Sequence, residues 1–317
     1  MLLIQDGAMT LGDPVTRWLP ELAEPRVLRT LESDLDDTVP AERPITVEDV
    51  LSFHLGFGNI MTQETYPVMA AEARLGLKSL GPPWPPADLT PDEWIAALAS
   101  LPLMDQPGTR WRYNTGGTVA GILIERVAGM PLAEVLAQRI FGPLGMTDTG
   151  FYVPEGKLGR FTTFYQPNGP GTSLRVIDEP GGWYSAPPKL PDASSWLVST
   201  VDDLYRFTAA LSSGDLLSAG SFREMTRNRM TARERAASQI FLGDHSGWGL
   251  MMSVPAADGT AGVPGGYGWD GGSGTTWRTD PATGLTGILL TQRQATSPAP
   301  TALVTDFWTR AYAAIDG

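Results

Sequence analysis

The sequence has no cysteine, and it has only two histidines, His54 and His245. Without cysteine, the chain can form no disulfide, no thiol nucleophile and no thiolate metal site. Two histidines are also too few for a histidine-rich metal site, so we do not expect one. We therefore predict a protein that holds no metal and no other cofactor.

Positive charge is scarce as well. The chain has 23 Lys and Arg against 35 Asp and Glu, which gives a formal net charge of -12. A nucleic acid or an anionic membrane surface needs clustered basic side chains, so we expect neither as a partner. Apolar runs long enough to span a membrane are absent, and the apolar start MLLI is too short for a signal peptide. The expected localisation is cytoplasmic.

Several catalytic templates are also missing from the sequence. No serine has the flanking glycines of a G-x-S-x-G nucleophile elbow, and neither G-x-x-x-x-G-K nor H-E-x-x-H occurs. His54 lies beside apolar residues, which favours a structural role for it. An α/β-hydrolase, a P-loop enzyme and a zincin are therefore excluded.

What the sequence does contain is the pattern of a globular protein, since 317 residues with 42% hydrophobic residues can fill a sizeable core. Thr46 and Asp49 have capping-box spacing, which predicts a helix that ends near Gly56 or Gly58. Further helices are predicted by apolar stripes and by their start and stop signals. One of these helices begins at Pro91. A second runs over residues 119–127 and stops at Gly129, and a third runs from the cap Thr200 to Gly214.

The period changes after residue 246. Four short strand candidates follow, GWGLMMSVP, GYGWDGG, GTTWRTD and GLTGILLTQR, and the last is apolar enough for a central strand. A closing helix begins at Pro300. Helices followed by an antiparallel meander and a last helix predict an α+β fold. We expect one domain over residues 1–317, with a helical part at approximately 15–235 and a sheet with the C-terminal helix at approximately 246–317.

The first residues resemble the end of a helix. Met1 to Ile4 are apolar, and Gln5, Asp6 and Gly7 follow in the order of a helix C-terminus. Because isolated helices shorter than about 12 residues are marginal in water, one turn does not sustain itself. We interpret the start as the second half of a longer helix. The alternative is a frayed apolar leader.

The first candidate for chemistry is Tyr113, in the segment PGTRWRYNTGG just before a predicted helix. A tyrosine can act as a general base if positive charge or hydrogen-bond donors stabilise its phenolate, since its free pKa is about 10. The alternative is a tyrosine whose hydroxyl anchors a turn, and from the segment alone this alternative is favoured.

The second candidate is the strand segment Trp269, Asp270, Gly271 and Gly272. Two glycines leave the backbone open to a substrate, and an N–H there can point at a developing oxyanion. The alternative is a glycine-rich hairpin strand whose Trp packs on the core.

Taken together, the segments resemble the serine β-lactamase and penicillin-binding-protein superfamily, in its class C-like branch with the family VIII esterases. The similarity is carried by four segments in consistent order: PITVEDVLSFHLGFG, QPGTRWRYNTGGTVAGILIERVAGMPLAEVLAQRIFGPLGMTDTGF, STVDDLYRFTAAL and GYGWDGGSGTTWRTDPATGLTGILLTQR. The resemblance implies a β-lactamase/transpeptidase-like fold, in which helices flank a mainly antiparallel sheet beside an all-helical part.

The resemblance also implies roles for the candidates. Tyr113 takes the second proton-transfer position, with Asn114 beside it as a substrate contact. Trp269, Asp270 and Gly271 take the place of the K-T-G strand motif and contact substrate, and the Gly272 N–H is the oxyanion donor. Because this motif lacks its lysine and Tyr-x-Asn becomes Tyr113-Asn114-Thr115, a neutral small-molecule acyl ester or amide is favoured over a β-lactam, and esterase over β-lactamase.

The family's S-x-x-K nucleophile motif is absent. The residues three positions before Lys78, Lys157 and Lys189 are Leu, Pro and Ala. By the resemblance, the chain is expected to begin about three helical turns after the nucleophile, without the first helix and the first strands. We then predict an inactive chain, with an open sheet edge through which it self-associates. The alternative is a non-catalytic binding module, a pseudoenzyme that retains the family's binding site.

Overall fold

A computed structural model describes residues 1–60, 64–77, 86–169, 173–256 and 266–315. The chain divides into two compact units. The first consists of Met1–Leu136 and Pro188–Trp196, and the second of Ala137–Pro187 and Leu197–Gly317. These bounds differ from the predicted division near residue 235, because the second unit also takes in residues 137–187 and the helices after residue 197.

The first unit is mainly helical, with one small sheet. Its two strands pair antiparallel, with Val27 opposite Val39. The strands are β1 (Arg26–Leu28) and β2 (Thr38–Pro40), and the helices are α1 (Leu2–Gln5), α2 (Val47–Leu51), α3 (Pro67–Arg74), α4 (Pro91–Ala99), α5 (Thr115–Ala128) and α6 (Leu132–Leu136). Their apolar faces meet in a core whose fully buried members include Val15, Leu19, Ile45, Val50, Leu55, Ile95 and Leu123.

The predicted capping box of α2 is confirmed, but the predicted end of this helix is wrong. Thr46 and Asp49 exchange both hydrogen bonds of the box. The helix nevertheless ends at Leu51, before the predicted stop at Gly56 or Gly58. Phe53 has a φ of 65° and its carbonyl accepts from the Arg112 N–H at 2.8 Å. This backbone pairing takes the chain out of the helix.

The other helix signals of the first unit agree with the structure. Helix α4 begins at Pro91 behind a capping box of Thr90 and Glu93. Helix α5 ends before Gly129, which takes a left-handed φ of 67°. Helix α1 ends at Gln5 and is followed by Gly7 with a φ of 73°, so the predicted helix C-terminus at these residues is confirmed. That these residues are the second half of a longer helix stays a prediction.

One face of α5 receives the returning segment 188–196. A Cβ on Gly117 would lie 2.7 Å from the Ser194 Cβ, and a Cβ on Gly121 would lie 3.0 Å from the Ala193 Cβ. Real Cβ atoms do not approach so closely, so glycine at both positions allows the segment to pack directly on the helix.

The second unit contains the main sheet. Strands β5 to β9 form a five-stranded antiparallel sheet in which the strands lie in sequence order. Strands β3 and β4 pair in a separate hairpin. The strands are β3 (Phe164–Pro167), β4 (Leu174–Asp178), β5 (Ser246–Trp248), β6 (Ser253–Pro255), β7 (Tyr267–Gly271), β8 (Thr275–Asp280) and β9 (Leu285–Leu289). The helices are α7 (Gly142–Leu144), α8 (Val201–Ser213), α9 (Ala219–Thr226), α10 (Ala232–Ala237), α11 (Gln239–Leu242) and α12 (Ala302–Ala313).

Two strand predictions need correction. GWGLMMSVP forms two strands, β5 and β6, rather than one. GLTGILLTQR, predicted to be central, contributes β9, which is the last strand of the described sheet. Its apolar character has another cause, since both faces of the sheet are covered near it. Trp277 on β8 packs edge-on against Phe207 of α8, whereas its neighbour Thr276 accepts a hydrogen bond from Trp308 of α12.

The helix signals of the second unit also agree with the structure. Thr200 caps α8 by accepting the Asp203 N–H, and Gly214 follows the helix with a φ of 86°. Helix α12 begins at Ala302, two residues beyond the predicted Pro300, with Thr301 as its cap. In the described part of the chain, no helix is both long and apolar enough to cross a membrane.

Candidate active site

Tyr113 lies in the first unit, in an extended segment that leads into α5. Its carbonyl accepts from the Asn59 N–H at 2.5 Å. The ring packs edge-on against Phe53 at 5.8 Å and lies 6.0 Å from the Trp111 ring, measured between centroids. A Cβ on Gly58 would lie 2.8 Å from the Tyr113 carbonyl oxygen, so the two backbones touch. Backbone pairing and two aromatic neighbours therefore hold this half-buried ring.

Asn114 follows directly, across a cis peptide bond, at the N-cap position of α5. It is buried, and its Oδ1 accepts from Asn59 Nδ2 at 3.0 Å. The structure thus brings Tyr113 and Asn114 together with Asn59. Because Asn59 already donates to the side-chain oxygen of Asn114, a substrate contact by Asn114 stays a prediction.

A buried guanidinium precedes Tyr113 in the chain. Arg112 is 6% exposed, and its Nε donates to the Asp105 carboxylate. Arg110 also approaches Asp105, at 3.8 Å. The sequence does not single out Arg112, because strand alternation in R-W-R would place it on the exposed side with Arg110. In the structure Trp111 and Arg112 are both buried.

Trp269 lies in the second unit, on β7, where the register pairs it with Trp277 of β8. Its half-buried ring packs edge-on against the fully buried Trp248, with centroids 4.8 Å apart. Side chains alternate along a strand, so the positions on the Trp269 side of β7 and β8 are Tyr267, Gly271, Thr275, Trp277 and Thr279. None of these side chains is charged.

Asp270 points to the opposite face. Its Oδ1 accepts from Thr276 Oγ1 at 2.5 Å, and its Oδ2 pairs with Arg278 Nη2 at 3.1 Å. Thr276 in turn accepts from Trp308 Nε1 at 3.0 Å. The carboxylate therefore belongs to a polar network beneath α12, and its predicted role as a substrate contact stays a prediction.

Gly271 and Gly272 begin a four-residue turn between β7 and β8. The turn is closed by the Gly274 N–H, which donates to the Gly271 carbonyl at 2.9 Å. Gly272 is exposed, and its carbonyl accepts from the Ala295 N–H at 2.9 Å. Its own N–H donates to no carbonyl in the described part of the chain. It is thus an open backbone donor, the kind of group that stabilises an oxyanion.

The lysines do not supply a catalytic pair. Lys157 contacts the Thr147 carbonyl at 2.5 Å and Asp148 at 2.8 Å. Lys189 pairs with Asp88, and Lys78 lies outside the described residues. The described residues also contain no cluster of His, Asp and Glu that could hold a metal ion. The candidate chemistry therefore consists of a phenol and an open N–H, each described within its own unit.

Comparisons with known proteins cover nearly the whole chain. The family model described as Beta-lactamase matches residues 1–305. Protein Rv1367c of Mycobacterium tuberculosis is 37% identical over 309 residues, which are 92% of this chain and 73% of that protein. Esterase EstB of Burkholderia gladioli is 29% identical over 313 residues, which are 91% of this chain and 72% of EstB.

A solved structure agrees with the fold. EstCE1, described as a hydrolase with promiscuous acyltransferase activity, superposes with a TM-score of 0.77 at 23% identity. The superposition covers 99% of this chain and 80% of EstCE1. The α+β architecture with an antiparallel sheet and flanking helices is thereby confirmed.

Proposed function

Because the chain belongs to the Beta-lactamase family, we propose that its site recognises the acyl group of a neutral small-molecule ester. In this proposal Gly272 of the second unit offers its N–H to the carbonyl oxygen. The resemblance separately supports proton transfer as the role of Tyr113 in the first unit. A relative that is 29% identical is named an esterase, which supports an ester over a β-lactam.

The observation that carries this proposal is the neutral side of strand β7. By the resemblance, Trp269 replaces the cation of the family's strand motif. The charged pair of β7 and β8, Asp270 with Arg278, lies on the other face. A substrate carboxylate beside Trp269 would lose water without gaining a positive partner, which is unfavourable. A neutral ester loses less hydration free energy when it binds at the same place.

The covalent step of the family needs a serine with a lysine three residues later, and the 317 residues contain no such pair. In acyl-enzyme formation the serine oxygen bonds to the carbonyl carbon, the ester C–O bond breaks, and the serine proton passes to the leaving alcohol. We therefore propose that a polypeptide of this sequence binds the ester without becoming acylated.

The test combines binding with mass spectrometry on the purified chain. We expect p-nitrophenyl butyrate to bind at least about tenfold more tightly than an anionic chromogenic cephalosporin, a difference of about 1.4 kcal/mol. Intact mass should show no acyl adduct with either compound. Comparable binding of both compounds would contradict the ester preference, and a stable adduct on any serine would contradict the absence of acylation.

Two variants of one residue provide the matched comparison. Trp269→Phe keeps the side chain neutral and aromatic, so the preference for the ester should persist. Trp269→Lys adds an ammonium, so it should reduce the preference about tenfold or reverse it, by attracting the cephalosporin carboxylate. Equal preferences in the two variants would show that this position does not contact substrate.

A further inference from the structure

The turn that carries Gly272 is held at successive carbonyls. Within the turn, the Gly271 carbonyl accepts from the Gly274 N–H at 2.9 Å. From the segment that follows β9, the Ala295 N–H donates to the Gly272 carbonyl at 2.9 Å, and Thr291 Oγ1 donates to the Gly274 carbonyl at 2.8 Å. The Ser273 carbonyl also lies 3.3 Å from Thr291 Oγ1.

These bonds fix the direction of one N–H. The Gly271 carbonyl and the Gly272 N–H belong to the same planar peptide group and point in opposite directions. Because the carbonyl is directed into the turn, the N–H is directed out of it. The N–H is therefore oriented, and it has no acceptor among the described backbone carbonyls.

The segment that holds the turn is itself anchored. The Tyr165 N–H of β3 donates to the Gln292 carbonyl at 2.8 Å, and the Tyr165 carbonyl accepts from the Gln294 N–H at 2.8 Å. Thr291 also accepts from the Arg293 N–H at 3.4 Å. Thr291 therefore joins the turn to a segment whose position is set by another strand of the same unit.

The contact between the turn and the segment that follows β9 leaves no space for a side chain at Gly274. A Cβ there would lie 2.2 Å from the Arg293 carbonyl oxygen and 2.6 Å from Thr291 Oγ1. Gly274 also has a φ of +75°, which glycine adopts without strain. The close approach keeps the Thr291 hydroxyl against the turn and excludes intervening water.

We propose that Thr291 is a positioning residue, which holds the Gly271–Gly274 turn so that the Gly272 N–H stays aimed at the oxygen of an acyl substrate. Donors that are already oriented stabilise an oxyanion because they need no reorganisation during the reaction. The identity of the ligand rests on the proposed ester function. The hydrogen bond from Thr291 to the turn, called the clamp below, does not rest on that function.

Amide hydrogen exchange, measured by NMR on the full chain, tests the clamp. In the unmodified protein the Gly274 and Ala295 amides should be protected, while the Gly272 amide exchanges close to its intrinsic rate. Thr291→Val, which keeps the shape and removes the hydroxyl, should speed exchange at Gly274 and Ala295 at least tenfold. Thr291→Ser should restore protection, and the Val153 amide, bonded to the Tyr184 carbonyl elsewhere in this unit, should change in neither variant.

Two results would overturn the proposal. One is unchanged protection of Gly274 and Ala295 in Thr291→Val. The other is a Gly272 amide in the unmodified protein that is as protected as the Gly274 amide, which would mean that the Gly272 donor is already occupied. This second result needs no variant, so it holds even if Thr291→Val does not fold.

A binding measurement with a substrate-like ligand distinguishes failure of this proposal from failure of the ester function. Monoethyl phenylphosphonate, a tetrahedral anion that resembles the oxyanion intermediate, should shift the Gly272 amide resonance in the unmodified chain and in Thr291→Ser. Thr291→Val should bind it at least tenfold more weakly. If the unmodified chain does not bind it, the ester function fails while the exchange result still decides the clamp. Equal binding by all three proteins contradicts the positioning role.

Discussion

Trp269 and Asp270 are neighbours in the chain that meet opposite surroundings. The aromatic ring packs on Trp248, whereas the carboxylate joins Thr276 and Arg278 beneath α12. Strand alternation could predict from sequence that the two side chains point apart. It could not predict which face a helix covers, because α12 is more than twenty residues further along the chain. The sequence therefore indicated the motif but not the partner of its carboxylate.

The same limit applies to the other candidate residues. Tyr113 and Gly272 are found from local patterns, a tyrosine before a helix start and a pair of glycines on a strand. Asn59 and Thr291, which hold their surroundings in place, act through contacts distant in sequence. A lone threonine after a strand has no local pattern that distinguishes it, so only the fold reveals it.

Asp192 provides a prediction about pH. It is 5% exposed, and its carboxylate accepts from the Ser194 N–H and the Ser194 hydroxyl, both at 2.9 Å. Desolvation by burial outweighs these bonds and raises the pKa of Asp192 above its usual 3.8. A carboxyl whose folded pKa is raised stabilises the fold fully below pH of about 4 and loses this stabilisation as pH rises through the folded pKa.

The measurement is urea unfolding of the unmodified chain and of Asp192→Asn at pH 4 and at pH 7. The unfolding free energy of the unmodified chain, relative to the variant, should be smaller at pH 7 than at pH 4. Asparagine does not titrate, so the comparison cancels the other carboxyl groups. A relative stability that is equal at the two pH values, or larger at pH 7, would be evidence against the raised pKa.

At the scale of elements, β9 shows where local patterns fail. The start signals of α2, α4 and α8 lie in short segments, so the sequence predicted where these helices begin. The apolar composition of β9 was attributed to a central position, but the strand is the last of the described sheet. A strand flanked by helices on both faces can have the same apolar composition as one that lies between two other strands. Composition reports burial and does not report hydrogen-bonding neighbours.

Gly287 tests how closely α12 packs on β9. A Cβ there would lie 2.6 Å from two ring carbons of Trp308 and 3.3 Å from Phe307. Gly287→Ala should therefore destabilise the protein by about 1–3 kcal/mol, because it forces the helix away from the sheet. The measurement is the midpoint and slope of chemical unfolding.

The matched control makes the same substitution inside a helix. Gly220 lies in α9, and a Cβ there would meet only Ser218 Oγ, at 3.9 Å. Gly220→Ala should stabilise by about 0.5–1 kcal/mol, since alanine restricts the unfolded chain more than glycine does. If both variants shift stability in the same direction, the close approach of Trp308 is not what decides the effect at Gly287.

At the scale of the whole molecule, family and fold class could be predicted from the sequence. Four segments in consistent order carried the resemblance, and the family match over residues 1–305 confirms it. The division into two units could not be predicted, because it depends on the segment 188–196 returning to the first unit. That return rests on packing between Gly117 and Ser194, which no local pattern shows.

The outer side of β9 gives a prediction about association. β9 pairs with β8 on one side, and no described strand pairs with its other side. Unpaired backbone groups at a sheet edge can bind a second chain. We expect the sedimentation coefficient to rise with protein concentration, and more steeply in high salt, which screens the repulsion from a net charge of -12.

A lysine on the edge should oppose this association. Ile288→Lys should reduce the concentration dependence, whereas Leu303→Lys, on a side chain of α12 that is 57% exposed, should leave it unchanged. A monomer at every concentration in the unmodified chain, or equal effects of the two lysines, would exclude β9 as the associating edge.

The return of segment 188–196 also has a consequence for biosynthesis. A ribosome releases the chain from its N-terminus, so α5 emerges well before Ala193 and Ser194, the residues that pack on it. Residues 137–187, which belong to the second unit, must leave the exit tunnel in between. The glycine-lined face of α5 is therefore uncovered throughout that interval, when a nascent-chain chaperone could bind it. Slow translation of residues 137–187 would lengthen that exposure, whereas slow translation after residue 196 would not.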